Sequence, residues 1–167
     1  MASSDLDTAT RTTHPSFRVV MAPERIPISA KSVFLSGSVP TRKSYDWRAS
    51  LTDSLRHLPI TILNPFRLDW DSSWKEDIAD DRFREQVEWE LDYQEKADII
   101  VTYFDPDTEA PVTLLELGLF VRDGRNVVCC PEGFWKRGNV QVVCKRYMIA
   151  CLETTDGLKN AIIEKLM

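Results

Sequence analysis

Residues 97–120 read ADIIVTYFDPDTEAPVTLLELGLF, a stretch that combines a strand, an acidic loop and a hydrophobic helix. The pattern predicts a buried strand at Asp98–Tyr103 and a helix at Thr113–Arg122. Glu116 is the one carboxylate of that helix, and apolar side chains surround it on nearly every face. A helix that is hydrophobic all round is buried, and a buried carboxylate is costly unless it has partners or a function. We therefore expect Glu116 to act as a nucleophile or a base.

A capping role for Glu116 is the alternative interpretation of the same residues. Thr113 and Glu116 match the T-x-x-E capping box, in which the glutamate side chain accepts a hydrogen bond from the amide of the N-cap residue. Gly118, which lets another backbone approach the helix, favours the functional interpretation. Both roles are compatible, because the helix dipole stabilises an anion at a helix N-terminus.

Outward from this stretch, short apolar strands alternate with amphipathic helices. Further strands are predicted at Ser32–Ser36, Ile60–Leu63, Asn126–Cys130 and Met148–Leu152, and further helices at Tyr45–Leu58, Asp81–Lys96, Asn139–Tyr147 and Thr155–Leu166. This alternation predicts a flavodoxin/Rossmann-like three-layer α/β/α fold with a roughly five-stranded parallel sheet. We expect residues 1–30 to be a disordered or extended arm, since they are polar and then contain Pro23 and Pro27. Residues 31–167 then form a single domain.

Composition narrows the classes of function. The net charge of −5 argues against a protein that binds nucleic-acid polymers, which normally has a basic face. Four cysteines without a C-x-x-C pair and two histidines indicate neither a metal site nor a redox cofactor. Cys129 and Cys130 are expected on opposite faces of the sheet. No apolar run reaches the roughly 18 residues of a membrane helix, and the N-terminus lacks the apolar core of a signal peptide, so we expect a cytoplasmic protein.

The loop after the first predicted strand is a candidate ligand site. In parallel sheets, ligands bind beyond the carboxyl ends of the strands, where Gly37, Ser38 and Arg42 follow the first strand. Gly37 allows close backbone approach, Ser38 can donate a hydrogen bond, and Arg42 could meet a phosphate. The loop matches neither a P-loop nor a G-x-G-x-x-G motif, so an ordinary surface turn explains it equally well.

Glu90 is a second unusual carboxylate. It follows Trp89 on the helix predicted at Asp81–Lys96 and lies on the rim of the expected core stripe. That stripe comprises Phe83, Val87 and Leu91. The neighbouring acids suit a solvated face, and on charge pattern alone Glu90 is one more surface acid.

These pieces together resemble the nucleoside 2-deoxyribosyltransferase superfamily, from about residue 31 to about residue 147. The resemblance rests on VFLSGSVP at 33–40, WE at 89–90, ADIIV at 97–101 and LELG at 115–118. The order and spacing of the pieces are more specific than any single motif.

The resemblance implies base exchange on 2′-deoxynucleosides. Glu116 would attack C1′ as the base leaves, and a second base would attack the glycosyl-enzyme with net retention. Glu90 would contact the nucleobase and manage its proton. Substrate contacts are expected from Ser36, Gly37, Ser38, Arg42, Asp46, Trp89, Asp105 and Asn139. Because Asn139 would serve a neighbouring subunit, a homodimer or higher homo-oligomer is implied; the partners are a nucleoside or nucleotide and a free base, and no cofactor is needed.

Two other functions remain open. In a deoxynucleoside 5′-monophosphate N-glycosidase, water would be the acceptor, and Gly37, Ser38 and Arg42 would hold the phosphate. A non-catalytic nucleotide-binding module is favoured by Ala110, where the family often has an acid. Asp105, Asp107 or Glu109 could substitute for that acid, and the family's aromatic near the first strand would be Phe34 or Tyr45.

Overall fold

The computed structural model describes residues 12–39 and 45–167. Its strands are β1 (Arg18–Met21), β2 (Lys31–Gly37), β3 (Ile60–Asn64), β4 (Ile99–Tyr103), β5 (Asn126–Cys129) and β6 (Cys151–Leu152). Its helices are α1 (Trp47–Leu55), α2 (Asp81–Lys96), α3 (Pro111–Phe120), α4 (Arg137–Arg146) and α5 (Thr155–Leu166), with a 3-10 turn at Val121–Asp123. Within these two ranges, no helix has both the length and the apolar character needed to cross a membrane.

The strands form one parallel sheet in the order β1-β3-β2-β4-β5-β6. Helices α1 and α5 cover one face, where Leu35, Trp47 and Leu158 share a hydrophobic cluster. On the opposite face, Phe34 of β2 packs against Trp89 of α2, and a further cluster lies beneath α3 and α4. This is a three-layer α/β/α arrangement, so the predicted fold class is confirmed.

The alternation of side chains across the sheet is visible at the end of β5. Cys129 packs in the cluster beneath α1 and α5, whereas Cys130 packs in the cluster beneath α3 and α4. The prediction that these two thiols lie on opposite faces is therefore confirmed. Burial raises the pKa of both thiols, to about 12 for Cys129 and about 11 for Cys130.

Strand β1 lies within the segment expected to be an extended arm. It pairs in parallel with β3, with Val20 opposite Leu63, and Val20 is fully buried. The run of apolar residues is short and precedes two prolines, so nothing local distinguishes it from a loop. Pairing with β3 supplies the hydrogen bonds that make it a strand. Residues 1–11 of the expected arm lie outside the described ranges.

The prediction of which α2 residues face the core is wrong. The fully or nearly fully buried residues of α2 are Gln86, Trp89, Tyr93 and Gln94, whereas Phe83, Val87 and Leu91 are only partly buried. The helix buries two aromatic rings whose polar atoms bond to main-chain groups of the segment before β2. The Trp89 indole N–H donates to Glu24 O at 2.8 Å, and the Tyr93 hydroxyl donates to Ile26 O at 3.2 Å.

The expectation that α3 is buried on all sides is also wrong. Val112, Leu115 and Leu119 are 58%, 64% and 54% exposed and form a row on its outer surface. Because nearly all residues of α3 are apolar, the sequence has no alternation of apolar and polar positions that would indicate which face of the helix packs against the sheet.

The topology creates a crevice between β2 and β4. These strands are neighbours in the sheet, with Leu35 opposite Val101. The chain leaves β2 through α1 on one face of the sheet, and it leaves β4 through α3 on the other face. Loops that diverge at such a switch point leave room for a ligand beyond the carboxyl ends of the strands.

Candidate active site

A cavity of about 230 Å³ occupies this switch point. Its lining comes from β2 and the residues just after it, the start of the loop after β3, one residue each of α1 and α2, and the start and first half of α3. Ser36, Gly37, Ser38, Glu90 and Glu116 all line it. The structure therefore brings both predicted catalytic carboxylates and three predicted substrate contacts into one cavity.

Gly37 sets the shape of the β2 end of the cavity. Its φ is +150°, and a Cβ added there would lie 2.5 Å from Tyr103 O and 2.8 Å from a ring atom of Trp47. Only glycine lets the end of β2 approach β4 and α1 this closely. The backbone then directs the side chains of Ser36 and Ser38, on either side of Gly37, toward different partners.

Ser36 contacts a catalytic candidate, whereas Ser38 secures a loop. The Ser36 hydroxyl donates to Glu116 Oε2 at 2.7 Å. Ser38 Oγ accepts from the Asp105 amide at 2.9 Å and lies 2.7 Å from the Thr108 hydroxyl. Ser38 thus ties the loop after β4 to the end of β2.

Glu116 is a buried carboxylate in the middle of α3, where it is 9% exposed. Burial raises the pKa of Glu116. The hydrogen bond from Ser36 and the positive charge of Arg48 lower it in part. The capping-box interpretation of this residue is wrong. The helix starts at Pro111, with Ala110 as its N-cap residue at a φ of 46°, and Thr113 lies inside it. Proline at the first helical position moves the start upstream, because its fixed φ suits that site.

Glu90 is held from α2 at the side of the cavity. The Gln86 amide nitrogen donates to Glu90 Oε1 and to Pro65 O, each at 2.8 Å, and so links the helix to the loop after β3. Burial, together with the negative charge of Glu116, raises the pKa of Glu90 to about 7. The interpretation of Glu90 as one more surface acid is therefore wrong.

The two carboxyl groups titrate as a pair. Burial raises the pKa of both groups, and the negative charge of Glu116 raises that of Glu90 further. Two negative charges in one buried cavity repel each other, so the pair is suited to share one proton. The Ser36 hydroxyl donates to Glu116 Oε2 and so favours Glu116 as the ionised member. One group is suited to donate a proton and the other to act as a nucleophile.

Of the five remaining predicted contacts, the four that the structure describes lie outside the lining of the cavity. Asp46 caps α1 by accepting from the Ala49 amide at 3.1 Å, and the fully buried Trp89 packs against Phe34 and Tyr93. The Asp105 carboxylate accepts from the Asp107 amide at 2.8 Å. Asn139 is exposed on α4, and Arg42 lies outside the described residues.

The acid that the family often places before its glutamate has no obvious replacement among the described residues. Ala110 itself lines the cavity. Asp105 is occupied in the turn just described, and Asp107 and Glu109 are exposed. Of the two aromatic candidates, Phe34 lines the cavity, whereas Tyr45 is 54% exposed.

Arg48 and Gln86 are site residues that the sequence analysis missed. The buried Arg48 side chain lines the cavity, and the buried Gln86 side chain donates a hydrogen bond to Glu90. A signal existed for Arg48, because it lies three residues before Leu51 and so falls on the buried stripe of α1. Gln86 lies four residues before Glu90, the spacing at which helical side chains meet.

We predict that Glu90 makes the folded protein less stable as the pH rises. Its pKa is 4.5 ordinarily and about 7 in the fold, so between these values the folded state holds a proton that the unfolded chain has released. Its contribution to the free energy of unfolding therefore decreases as the pH rises through this window. The free energy of unfolding of Glu90→Gln, measured relative to that of wild type, should increase by on the order of 1–3 kcal/mol when the pH is raised from about 5 to about 8.

Urea denaturation at the two pH values measures this difference. Glu88→Gln is the matched control, because Glu88 is on the same helix with its side chain 61% exposed. If the curves of stability against pH for Glu90→Gln and wild type run parallel, the raised pKa of Glu90 is contradicted.

The comparisons with known proteins support the resemblance on which the sequence analysis rested. No curated protein matches the chain. A family model described as nucleoside 2-deoxyribosyltransferase like matches residues 30–134, which is more than half of the chain. The matched range runs from just before β2 to just beyond β5 and contains every cavity residue named above. The chain therefore belongs to the nucleoside 2-deoxyribosyltransferase-like family.

Proposed function

We propose that this protein transfers the 2-deoxyribosyl group of a 2′-deoxynucleoside from one nucleobase to another. The observation that carries the proposal is the pair of buried carboxyl groups in one cavity. Glu116 accepts a hydrogen bond from the Ser36 hydroxyl, and the pKa of Glu90 is raised to about 7. Breaking an N-glycosidic bond requires both a nucleophile for C1′ and a proton for the departing base. The pair provides these two groups.

In the first step, a carboxylate oxygen of Glu116 forms a bond to C1′. The C1′–N bond breaks, its electron pair goes to the base nitrogen, and Glu90 gives its proton to the departing base. The transition state has oxocarbenium character, which the negative charge of Glu116 stabilises. The Ser36 hydroxyl, which donates to Glu116 Oε2, orients the carboxylate for attack.

In the second step, a nitrogen of the incoming base attacks C1′. The bond to Glu116 breaks, its electron pair returns to the carboxylate, and Glu90 takes the proton that the incoming nitrogen loses. Two successive displacements at C1′ give net retention of configuration. Because Glu90 ends protonated and Glu116 ionised, the pair is ready for another cycle.

Chromatography of reaction mixtures tests the proposal. The protein is incubated with 2′-deoxyinosine or thymidine and free adenine, and in parallel with the matching 5′-monophosphates. We expect a new deoxyadenosine peak that depends on Glu116. Free base released only from the monophosphates would replace the transferase with a nucleotide N-glycosidase that uses water as the acceptor. No turnover of any donor would contradict an enzymatic function and favour a nucleotide-binding module.

We also propose that the protein is a homodimer or a higher homo-oligomer. Asn139, which the resemblance assigns to a neighbouring subunit's sugar, is exposed on α4. The exposed row of Val112, Leu115 and Leu119 on α3 is apolar, and such surfaces commonly mediate association. Val112 also lines the cavity, so a second copy on this row would lie beside the site. Light scattering at assay concentration measures the mass, and a fully active monomer would contradict the proposal.

A further inference from the structure

Arg48 is a buried cation beside the two carboxylates. It lies on the first turn of α1, lines the cavity and is 6% exposed. Neither the family match nor the resemblance assigns it a role. A buried guanidinium is costly unless its N–H groups are satisfied and its charge is compensated, so its place needs a physical reason.

Each of the three guanidinium nitrogens of Arg48 donates to a main-chain carbonyl at the end of β2. Nε donates to Leu35 O at 3.2 Å, Nη1 to Ser38 O at 2.9 Å and Nη2 to Gly37 O at 2.8 Å. These carbonyls flank Ser36, the residue that donates to Glu116. The planar fork of the guanidinium thus determines the course of the backbone from Leu35 to Ser38.

The Trp47 side chain also helps to fix the end of β2. Its indole N–H donates to Ser38 O at 3.0 Å, and the guanidinium carbon of Arg48 lies 4.6 Å from the ring centroid. The ring also stacks on Tyr103 of β4, with centroids 5.0 Å apart. The end of β2 is therefore fixed between α1 and β4.

The charge of Arg48 is not used in a direct ion pair among the described residues. Its N–H groups bond to neutral carbonyls, whereas the charged groups around it are Glu90 of α2, Glu116 of α3 and Asp46 at the start of α1. Burial lowers the pKa of Arg48 to about 10, so it stays a cation at neutral pH. In a cavity of low dielectric, such a fixed charge favours the ionised form of both carboxyl groups.

We propose that Arg48 is a positioning residue of the candidate site, which fixes the end of β2 and places a positive charge beside Glu116 and Glu90. The kinetic part of this inference rests on the proposed function, whereas the structural and electrostatic part does not. The two contributions are separable. Lysine retains the charge but cannot donate to three carbonyls at once, and glutamine retains part of the hydrogen bonding without the charge.

Carboxyl titration by NMR, with carbon-13-labelled glutamate side chains, tests the electrostatic part without any substrate. Arg48→Gln should move the apparent midpoints of the Glu90 and Glu116 pair upward by about one pH unit or more. Arg48→Lys should leave them close to those of wild type. Arg56→Gln is the matched control, since Arg56 follows the same helix and pairs with Asp53 on the surface. A folded Arg48→Gln protein with wild-type midpoints would overturn the electrostatic role.

Kinetics test the positioning part. We expect kcat to fall by about 10- to 100-fold in both variants, with a smaller change in KM, because the Ser36 hydroxyl loses its fixed direction toward Glu116. In Arg48→Gln, the acid limb of the pH profile should also move upward. A purely structural role would lower the melting temperature and leave this limb in place.

The variants keep the inference falsifiable if one of them does not fold. Should Arg48→Gln fail to fold, Arg48→Lys decides, because wild-type kcat in that variant would overturn the positioning role. If the wild-type protein turns over no donor, the proposed function fails. The titration still decides whether Arg48 sets the charge state of the pair.

Discussion

Replacing Glu116 with alanine is expected to lower the rate of glycosyl transfer by about 10³-fold or more. The reason is the covalent step, because without the carboxylate no group in the cavity takes its place at C1′ among the described residues. Ser36 would then lose its acceptor, and Glu90 would lose the neighbouring charge that raises its pKa. The fold should survive, since Glu116 is a buried charge whose removal relieves a desolvation cost.

Initial rates of deoxyadenosine formation, measured beside circular dichroism of each protein, check this expectation. Glu88→Ala is the matched control, since it removes an exposed carboxylate from the helix that carries Glu90. The control should keep wild-type turnover. Turnover of Glu116→Ala within a few-fold of wild type would rule out Glu116 as the nucleophile.

Replacing Gly37 with alanine is expected to reduce the free energy of unfolding by about 3 kcal/mol. The added methyl group would lie 2.5 Å from Tyr103 O and 2.9 Å from Tyr103 N, both atoms of the β4 backbone, which cannot rotate away. The φ of +150° adds strain for any residue with a Cβ. Because relief requires β2 to move away from β4, the positions of Ser36 and Ser38 should shift as well, and turnover should fall.

Gly118→Ala is a matched control with an expected effect of the opposite sign. Gly118 lies inside α3, and a Cβ there meets no atom within 4 Å, so the expectation that another backbone approaches the helix at Gly118 is wrong for the described residues. Alanine in a helix interior is more stable than glycine by about 0.5–1 kcal/mol, so this variant should gain stability. Urea denaturation measures both variants. Equal effects of the two substitutions would contradict the close approach of β2 to β4.

The sequence alone predicted those features whose signal is local. Alternating strands and helices predicted the three-layer fold, and a single carboxylate in an apolar helix predicted that Glu116 would be unusual. Features set by tertiary contacts were not predictable in this way. The strand at Arg18–Met21 depends on its pairing with β3, and the inward face of α3 has no phase in its composition. The predicted start of α3 at Thr113 is also wrong, because Pro111 begins the helix two residues upstream.

The candidate site shows the same division. Glu90 looks like a surface acid by its charged neighbours, and the family resemblance rather than its pattern singled it out. Its pKa depends on burial and on a carboxylate from a different helix, neither of which is visible in the sequence. Arg48 lies in the first turn of a helix whose sequence is ordinary. Its role depends on three main-chain carbonyls at the end of β2. The contribution proposed for Asn139 would require a second subunit, so neither the pattern of the sequence nor the fold of one chain predicts it.

The most direct test of the central claim is to trap the glycosyl-enzyme on Glu116. The protein is mixed with a 2′-deoxynucleoside in the absence of acceptor base, quenched in acid within a single turnover, and analysed by intact mass and peptide mapping. We expect a mass increase of one 2-deoxyribosyl group on the peptide that contains Glu116. This adduct should disappear on a chase with adenine and should be absent from Glu116→Ala. A label on another residue, or full turnover of donor without any adduct, would contradict the proposal that Glu116 is the nucleophile.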